Sequence, residues 1–189
     1  MKQIVDYKNL LNPEQIFVAF DIETTGLSAH IDRIVELGGV KYKDGQIIDQ
    51  FNELINPEMP MPIGASQING ITDKMLVGKP LLNQVLPQFL EFIENAILIA
   101  HNAKFDLGFI IKSMSRLGLG ALNNDFVDTM PMSQSAFPGR PNYKLQSLAH
   151  DLNIKALEAH RAADDARVCL EVFEKCLNTL NPSKQASFF

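Results

Sequence analysis

The run Ile16-Phe17-Val18-Ala19-Phe20-Asp21-Ile22-Glu23 restricts the architecture of this chain more than any other stretch. Its aliphatic and aromatic residues leave no polar face before Asp21, the pattern of a strand buried on both sides in the middle of an α/β sheet. Helices must then cover both faces of that sheet. Side chains alternate along a strand, so Asp21 and Glu23 share one face at its end, about 7 Å apart. The turn Thr24-Thr25-Gly26 follows at once.

Two further strands, Ile34 to Tyr42 and Ile47 to Leu54, are joined by Lys43-Asp44-Gly45, whose Asp-Gly pair signals a hairpin, so the first three strands form an antiparallel meander. A Pro-rich loop from Asn56 to Pro62 leads to short helical pieces with Thr72 as an N-cap. The segment Leu81 to Glu94 then repeats Leu82, Val85, Leu86, Phe89, Leu90 and Ile93 at helical spacing. Ile97 to Ala100 is a short buried strand. Phe105, Phe109, Ile110, Met114 and Leu117 mark a helix closed by Gly118, with Asp106 in its first turn. Phe126-Val127 reads as an edge strand, and Asp128 caps a helix with Pro131 early in it. Asn142 is the expected cap of the next helix. The last helix, from about Arg161 to Leu180, buries Cys169, Val172, Phe173, Cys176, Leu177 and Leu180. Continued backwards, that stripe takes in Ala162, Asp165 and Ala166, while Asp164 joins Glu171 and Lys175 on the wet face. Small Ala162 and Ala166 would let this helix approach the strand that carries Asp21 and Glu23. His160, about 140° from Asp165 on a helical wheel, can serve the same site only from the preceding loop.

Acids thus recur at the ends of apolar elements: Asp21-Ile22-Glu23-Thr24-Thr25-Gly26, His101-Asn102-Ala103-Lys104-Phe105-Asp106, and His160-Arg161-Ala162-Ala163-Asp164-Asp165. At ~6 Å each carboxylate pair repels by roughly 3 kcal/mol at an effective dielectric of about 20, so a cation is expected among them. Hard oxygen donors without cysteine or paired histidines favour two Mg²⁺ or Mn²⁺ over zinc. Two such ions suit in-line displacement at a phosphodiester, and His160 is the candidate base. Lys144 and Arg140 could touch phosphate, but such residues are more often simply solvated. Glu36 and Asp128 read as structural, and His30 and His150 as surface residues.

These three clusters, taken in order over Phe17 to Leu180, resemble the Exo I, Exo II and Exo III motifs of the DEDDh, DnaQ-like 3′-to-5′ exonucleases, and most of all the proofreading subunit or domain of bacterial DNA polymerase III. The resemblance implies an RNase H-like mixed five-stranded α/β sheet with flanking helices. It implies Asp21, Glu23, Asp106 and Asp165 as metal ligands, His160 as general base, and release of nucleoside monophosphates from the 3′ end of single-stranded DNA. It further implies substrate contacts by Thr24, Thr25, Gly26, Leu27, Ile68, Asn69, His101, Asn102 and Phe105. Several relatives have histidine where Asn69 stands. The final Gln185-Ala186-Ser187-Phe188-Phe189 resembles the Gln-led, Phe-ended peptides that dock on sliding clamps, which makes Gln185, Phe188 and Phe189 a candidate anchor and a polymerase and a clamp candidate partners. The rival readings are an RNase T-like or oligoribonuclease-like RNA trimmer and a non-catalytic clamp- or polymerase-binding module.

The bulk properties agree with one exonuclease domain over 1–180 and a flexible tail over 181–189: 189 residues, 46% hydrophobic, suffice for a single core. The net charge of −5 argues against nucleic acid until two divalent cations bring it to −1. No apolar run is long enough for a membrane span, and no signal peptide is legible, so the cytoplasm is the expected compartment. Cys169 and Cys176, about 10 Å apart along one helix, are too far apart for a disulfide.

Overall fold

In the computed structural model, which describes residues 1–10 and 12–182, the strand of residues 16–23 runs as β1, Phe17–Thr24. It is followed by β2 (Ile34–Lys43) and β3 (Gln46–Leu54), and by three helices, α1 (Ile63–Asn69), α2 (Asp73–Leu76) and α3 (Leu82–Phe92). Next come β4 (Ile97–Ala100), α4 (Lys104–Arg116), β5 (Phe126–Asp128), α5 (Thr129–Ala136), α6 (Leu145–Asp151) and α7 (Ala162–Leu180). The strand order is β3-β2-β1-β4-β5, with β3, β2 and β1 antiparallel and β4 and β5 parallel to β1. This is the expected mixed five-stranded sheet with its meander on one side. The β2–β3 turn places Asp44 at φ 47° and Gly45 at φ 76°, the pair of left-handed conformations that a tight hairpin turn needs.

The sheet divides the core by alternation. Phe17 and Ala19 of β1, Val40 and Tyr42 of β2, Ile99 and Val127 pack beneath α7 with Val172, Phe173 and Cys176. Val18, Phe20 and Ile22 face the opposite way and meet Leu86 and Phe89 of α3 and Phe109 and Ile110 of α4. Cys169 and Cys176 are both buried free thiols.

Several local expectations change. The third helix is shorter at both ends than Leu81 to Glu94. Asn142 does not cap α6: Lys144 holds that position, and the Asn142 Oδ1 accepts from the Lys144 amide at 3.1 Å, closing a turn just outside the helix. Thr72 does precede α2, but without a side-chain cap bond. Asp164 is not on a wet face. It accepts from the Leu157 and Glu158 amides at 2.6 and 2.8 Å and pairs with Arg167, so it fastens the loop before α7. The candidate clamp anchor, Gln185, Phe188 and Phe189, lies outside the described residues.

Candidate active site

The site forms where β1 outruns its parallel neighbour. β4 pairs with β1 only at Phe17, Val18 and Ala19, so the later part of β1 lacks a strand on that edge. The Ile22 amide there donates instead to the Asp106 Oδ1 at 3.2 Å, which brings the first turn of α4 against β1. Asp21 and Glu23 continue the row of Phe17 and Ala19, the row that faces α7, and project beside the start of that helix.

Helix α7 comes in unusually close. Gly38 of β2 is the cross-strand partner of Asp21, and a Cβ on Gly38 would lie 2.2 Å from the Ala162 carbonyl carbon and 2.3 Å from the Ala163 amide nitrogen. No side chain larger than hydrogen fits there. Glu36, two residues back on the same face and opposite Glu23, is fully buried and accepts four bonds. Three come from Arg161 at 2.7 to 3.2 Å and one from the Ala162 amide at 3.1 Å. Together these contacts set the first turn of α7, and with it Asp165, against the sheet. Asp165 points inward and accepts from the Gln146 Nε2 at 2.6 Å and from the His160 amide at 3.1 Å.

His160 lies on the loop before α7, exposed, with φ 62°. Its ring and the carboxylates of Glu23 and Asp165 each offer a ligand atom within 4.8 Å of the others. Burial first, then the charges of Asp106, Asp165, Glu23 and Glu36, push the Asp21 carboxyl far above its ordinary range. Burial and then Asp165 and Glu36 raise Glu23 to about 8, with a hydrogen bond from Asn69 pulling the other way. Burial raises Asp106 to about 8 against its backbone bonds, and burial likewise raises Asp165. Arg161, bonded to Glu36, also turns its charge toward Glu23, and the His160 ring lowers Asp165, but burial and the neighbouring carboxylates outweigh both. An ionised cluster of this kind needs positive charge from outside the chain, and its all-oxygen acids beside one imidazole suit a hard divalent cation.

The other residues singled out in the sequence divide into two groups. Leu27 and Ile68 are 86% and 65% exposed, apolar side chains open to a ligand. Asn102, at φ 60°, is exposed, and Phe105 is half-buried against Phe109. The remainder are tied into the protein. The Thr24 hydroxyl donates to the Gly26 carbonyl at 2.6 Å, and the buried Thr25 hydroxyl accepts from the Arg33 amide at 3.0 Å. Asn69 is buried, and its Oδ1 accepts from the Ile71 amide. His101 bonds through both ring nitrogens, to the Thr129 hydroxyl and the Tyr143 carbonyl, each at 2.8 Å. The carbonyl cannot donate, so the His101 Nε2 carries the proton; burial holds this ring below the ordinary histidine pKa.

Sequence reasoning missed Gln146, Gly38 and the second task of Asp128. Asp128 caps α5 through the Met130 amide as expected, and it also takes the Asn102 and Ala103 amides at 3.0 and 3.2 Å, fixing the turn before Asp106. Gln146 falls in the helix expected after Asn142, but nothing local marks which acid its amide meets. Arg140 is paired with Asp151, and Lys144 forms none of the described ion pairs.

This fold, with the family match over most of the chain, makes the protein a nuclease. The family model described as exonuclease, of the RNase T type, matches residues 18–173, and the chain belongs to that family. It is 44% identical over 172 residues to the DNA polymerase III subunit epsilon of Treponema pallidum (strain Nichols), a match covering 90% of this chain and 80% of the relative. It is 43% identical over 164 residues to a DNA polymerase III of PolC type from Caldanaerobacter subterraneus subsp. tengcongensis, covering 87% of this chain and only 12% of that much longer relative. Among solved structures, exonuclease X in complex with 5′ overhanging duplex DNA aligns with TM-score 0.67 at 25% identity, over 92% of this chain and 95% of that one. Exonuclease I of E. coli in complex with a dA16 oligonucleotide aligns with TM-score 0.78 at 18% identity, over 90% of this chain and 42% of that one, and supports the fold.

Proposed function

We propose that this chain is a metal-dependent 3′-to-5′ exonuclease that shortens single-stranded DNA by one nucleoside monophosphate at a time and proofreads for a replicative polymerase. The observation that carries this reading is the meeting of Asp21, Glu23, Asp106 and Asp165, from three separated segments, with the His160 imidazole at Glu23 and Asp165. In it, the four acids hold two divalent cations, Mg²⁺ or Mn²⁺. Bound there, the pair supplies charge neutralisation for the attacking and leaving oxygens of an in-line phosphoryl displacement. A ring nitrogen of His160 takes the proton from the attacking water, and the bond from the His160 amide to Asp165 holds the loop that presents it. Gln146 keeps one Asp165 oxygen in place. Leu27, next to the Thr24 to Gly26 turn, and Ile68, both exposed, serve as apolar surfaces for the terminal base.

A proofreading role is supported by the names of two relatives, a DNA polymerase III subunit epsilon and a PolC-type DNA polymerase III. Residues 1–180 would form one exonuclease domain and 181–189 a tail in which Gln185, Phe188 and Phe189 anchor a clamp; deleting 185–189 should then weaken clamp capture. None of the described helices is long and apolar enough to cross a membrane, and two free thiols fit residence in the cytoplasm.

The deciding experiment follows 3′-labelled and 5′-labelled single strands of DNA and RNA with Mg²⁺ and with chelator. Immediate release of labelled mononucleotide from the 3′ end of DNA, abolished by chelator, is the expected result. Faster trimming of RNA would favour the ribonuclease alternative, and no release at all would favour a binding module.

A further inference from the structure

Three of the five arginines, Arg140, Arg161 and Arg167, are ion-paired with acids. Arg33 and Arg116 are not among the described ion pairs. The Arg116 Nη2 donates to the Ala29 and His30 carbonyls at 2.8 and 2.5 Å, and the Arg33 Nη1 donates to the Ile31 and Asp32 carbonyls at 2.8 and 3.1 Å. Neutral acceptors fix both guanidinium groups, with Glu58 on the wall of the cleft they share. Both line one cleft of about 170 Å³. Burial, then the Arg33 charge, holds Arg116 below its ordinary pKa.

Arg116 is also the last member of a ridge. Lys104, Gly108, Lys112 and Arg116 recur every four residues of α4 and so lie along one side of the helix, away from buried Asp106, Ile110 and Met114. Twelve residues at 1.5 Å each make the ridge about 18 Å long. Asp106 is the single acid of α4, and it is buried on another face. No described ion pair neutralises Lys104 or Lys112. Like charges at this spacing weaken a helix by about 0.2–0.5 kcal/mol per pair, and a mid-helix glycine by about 1 kcal/mol relative to alanine. Gly108 has open space where a Cβ would stand, so packing does not require it. In a chain of net charge −5 this row is a concentration of positive charge that α4 does not need for its own stability. It begins in the turn that carries Asp106 and ends at the loop that continues from Leu27.

We propose that Lys104, Lys112 and Arg116, with Arg33, form a track for the phosphate backbone of the DNA strand upstream of the terminal nucleotide. The track rests on the exonuclease reading for the position of the 3′ end. Its chemistry suits an exonuclease: phosphate contacts hold any sequence equally, and each releases counterions. Gly108 leaves the middle of the ridge low, where a backbone can approach closely.

The test compares the full-length protein with two triple variants. One is Lys104→Gln, Lys112→Gln and Arg116→Gln, in which glutamine at 116 keeps an N–H donor for the loop carbonyls. The other, Lys74→Gln, Lys79→Gln and Lys155→Gln, removes the same charge from exposed positions elsewhere. Binding of a fluorescein-labelled phosphorothioate oligothymidylate in Mg²⁺ is read by anisotropy against NaCl. Each lost phosphate contact flattens the slope of log affinity against log salt by about 0.7, so the ridge variant should be flatter by about 2. A fourfold rise in salt then weakens it roughly 20-fold less than the wild type, while the control triple keeps the wild-type slope. Equal flattening in both triples would assign the effect to overall charge and overturn the track, as would an unchanged slope in the ridge variant. Turnover of an ordinary 3′-labelled strand is followed in parallel: strand binding on the ridge without turnover counts against the nuclease reading alone, and turnover with an unchanged slope counts against the track alone.

Discussion

Replacing Gly38 by alanine tests whether the approach of α7 to the sheet sets the site. The new Cβ would meet backbone atoms of Ala162 and Ala163 at 2.2 to 2.5 Å, about 1 Å inside the 3.4 Å of ordinary contact. Backbone cannot rotate away as a side chain can, so the first turn of α7 and β2 must separate by roughly that distance. Overpacking of this kind costs about 1–3 kcal/mol, which in a domain of this size lowers Tm by about 2–12 °C. The effect on activity should be larger than the effect on folding. Asp165 sits one turn beyond Ala162, Asp21 is the cross-strand partner of Gly38, and a displacement of about 1 Å at reacting groups costs on the order of 100-fold in rate. The matched control is Gly39→Ala. Its Cβ points to the opposite face and meets the Phe92 ring edge at 2.9 Å, within the core beneath α3. Differential scanning fluorimetry and the release of 3′-terminal nucleotide at saturating Mg²⁺ read both variants. The expectation is a smaller loss of Tm in Gly39→Ala, whose Cβ meets a side chain rather than backbone, with kcat reduced about 100-fold only in Gly38→Ala. A Gly38→Ala protein with wild-type kcat, or a Gly39→Ala protein equally impaired, would refute the argument.

The other expectations concern charge. Glu23 and Asp106 titrate near 8 in the folded chain, against 4.5 and 3.8 as their ordinary values, so the folded state binds more protons than the unfolded state between these limits. Stability of the metal-free protein should therefore fall as pH rises from about 4 to about 8. Mg²⁺ should restore Tm progressively over the same window; a Tm in chelator that does not fall from pH 5 to pH 8 would contradict this. Asp21→Asn should abolish nucleotide release and yet raise the Tm of the metal-free protein, because it removes one charge from a cluster of acids; lost activity with a lowered Tm would point to a folding defect instead. His160→Gln should remove activity at unchanged Tm, since the ring is exposed, and continued digestion would take His160 out of the chemistry. Glu36→Gln breaks a buried pair whose loss of one partner costs on the order of 3–5 kcal/mol, moderated here because Arg161 reaches solvent. Its activity should fall with that of Arg161→Ala, and a double variant no worse than either single would identify the pair as one device, whereas additive losses would separate them.

Much of this geometry was legible in the sequence, and its limits are physical. The alternation of β1 placed Asp21 and Glu23 on one face, and the periodicity of α7 turned Asp165 inward, because both patterns are written within a single element. What could not be read are the pairings between elements. Glu36 and Arg161 are 125 residues apart, Gln146 meets Asp165 across a helix junction, and Asp128 reaches back 26 residues to the Asn102 amide. Gly38 looked like any glycine in a strand, since its significance depends on the helix that crosses it. Asp164 looked solvated because a helical wheel counts only the helix, while the partners that cover it are amides of the preceding loop.

These unread contacts share one purpose. Mutual repulsion among Asp21, Glu23, Asp106 and Asp165 drives apart the elements that carry them, so a fold that gathers them must oppose that force with bonds that do not neutralise the acids. Asp128 with the Asn102 and Ala103 amides does this for the entry to α4, and Glu36 with Arg161 and the Ala162 amide does it for α7. The hydrogen bonds of Arg161 go to Glu36, and its charge reaches Glu23 without bonding it, so the four acids stay raised. On the proposed function, a cation-binding site is what remains when the scaffold is satisfied and the carboxylates are not.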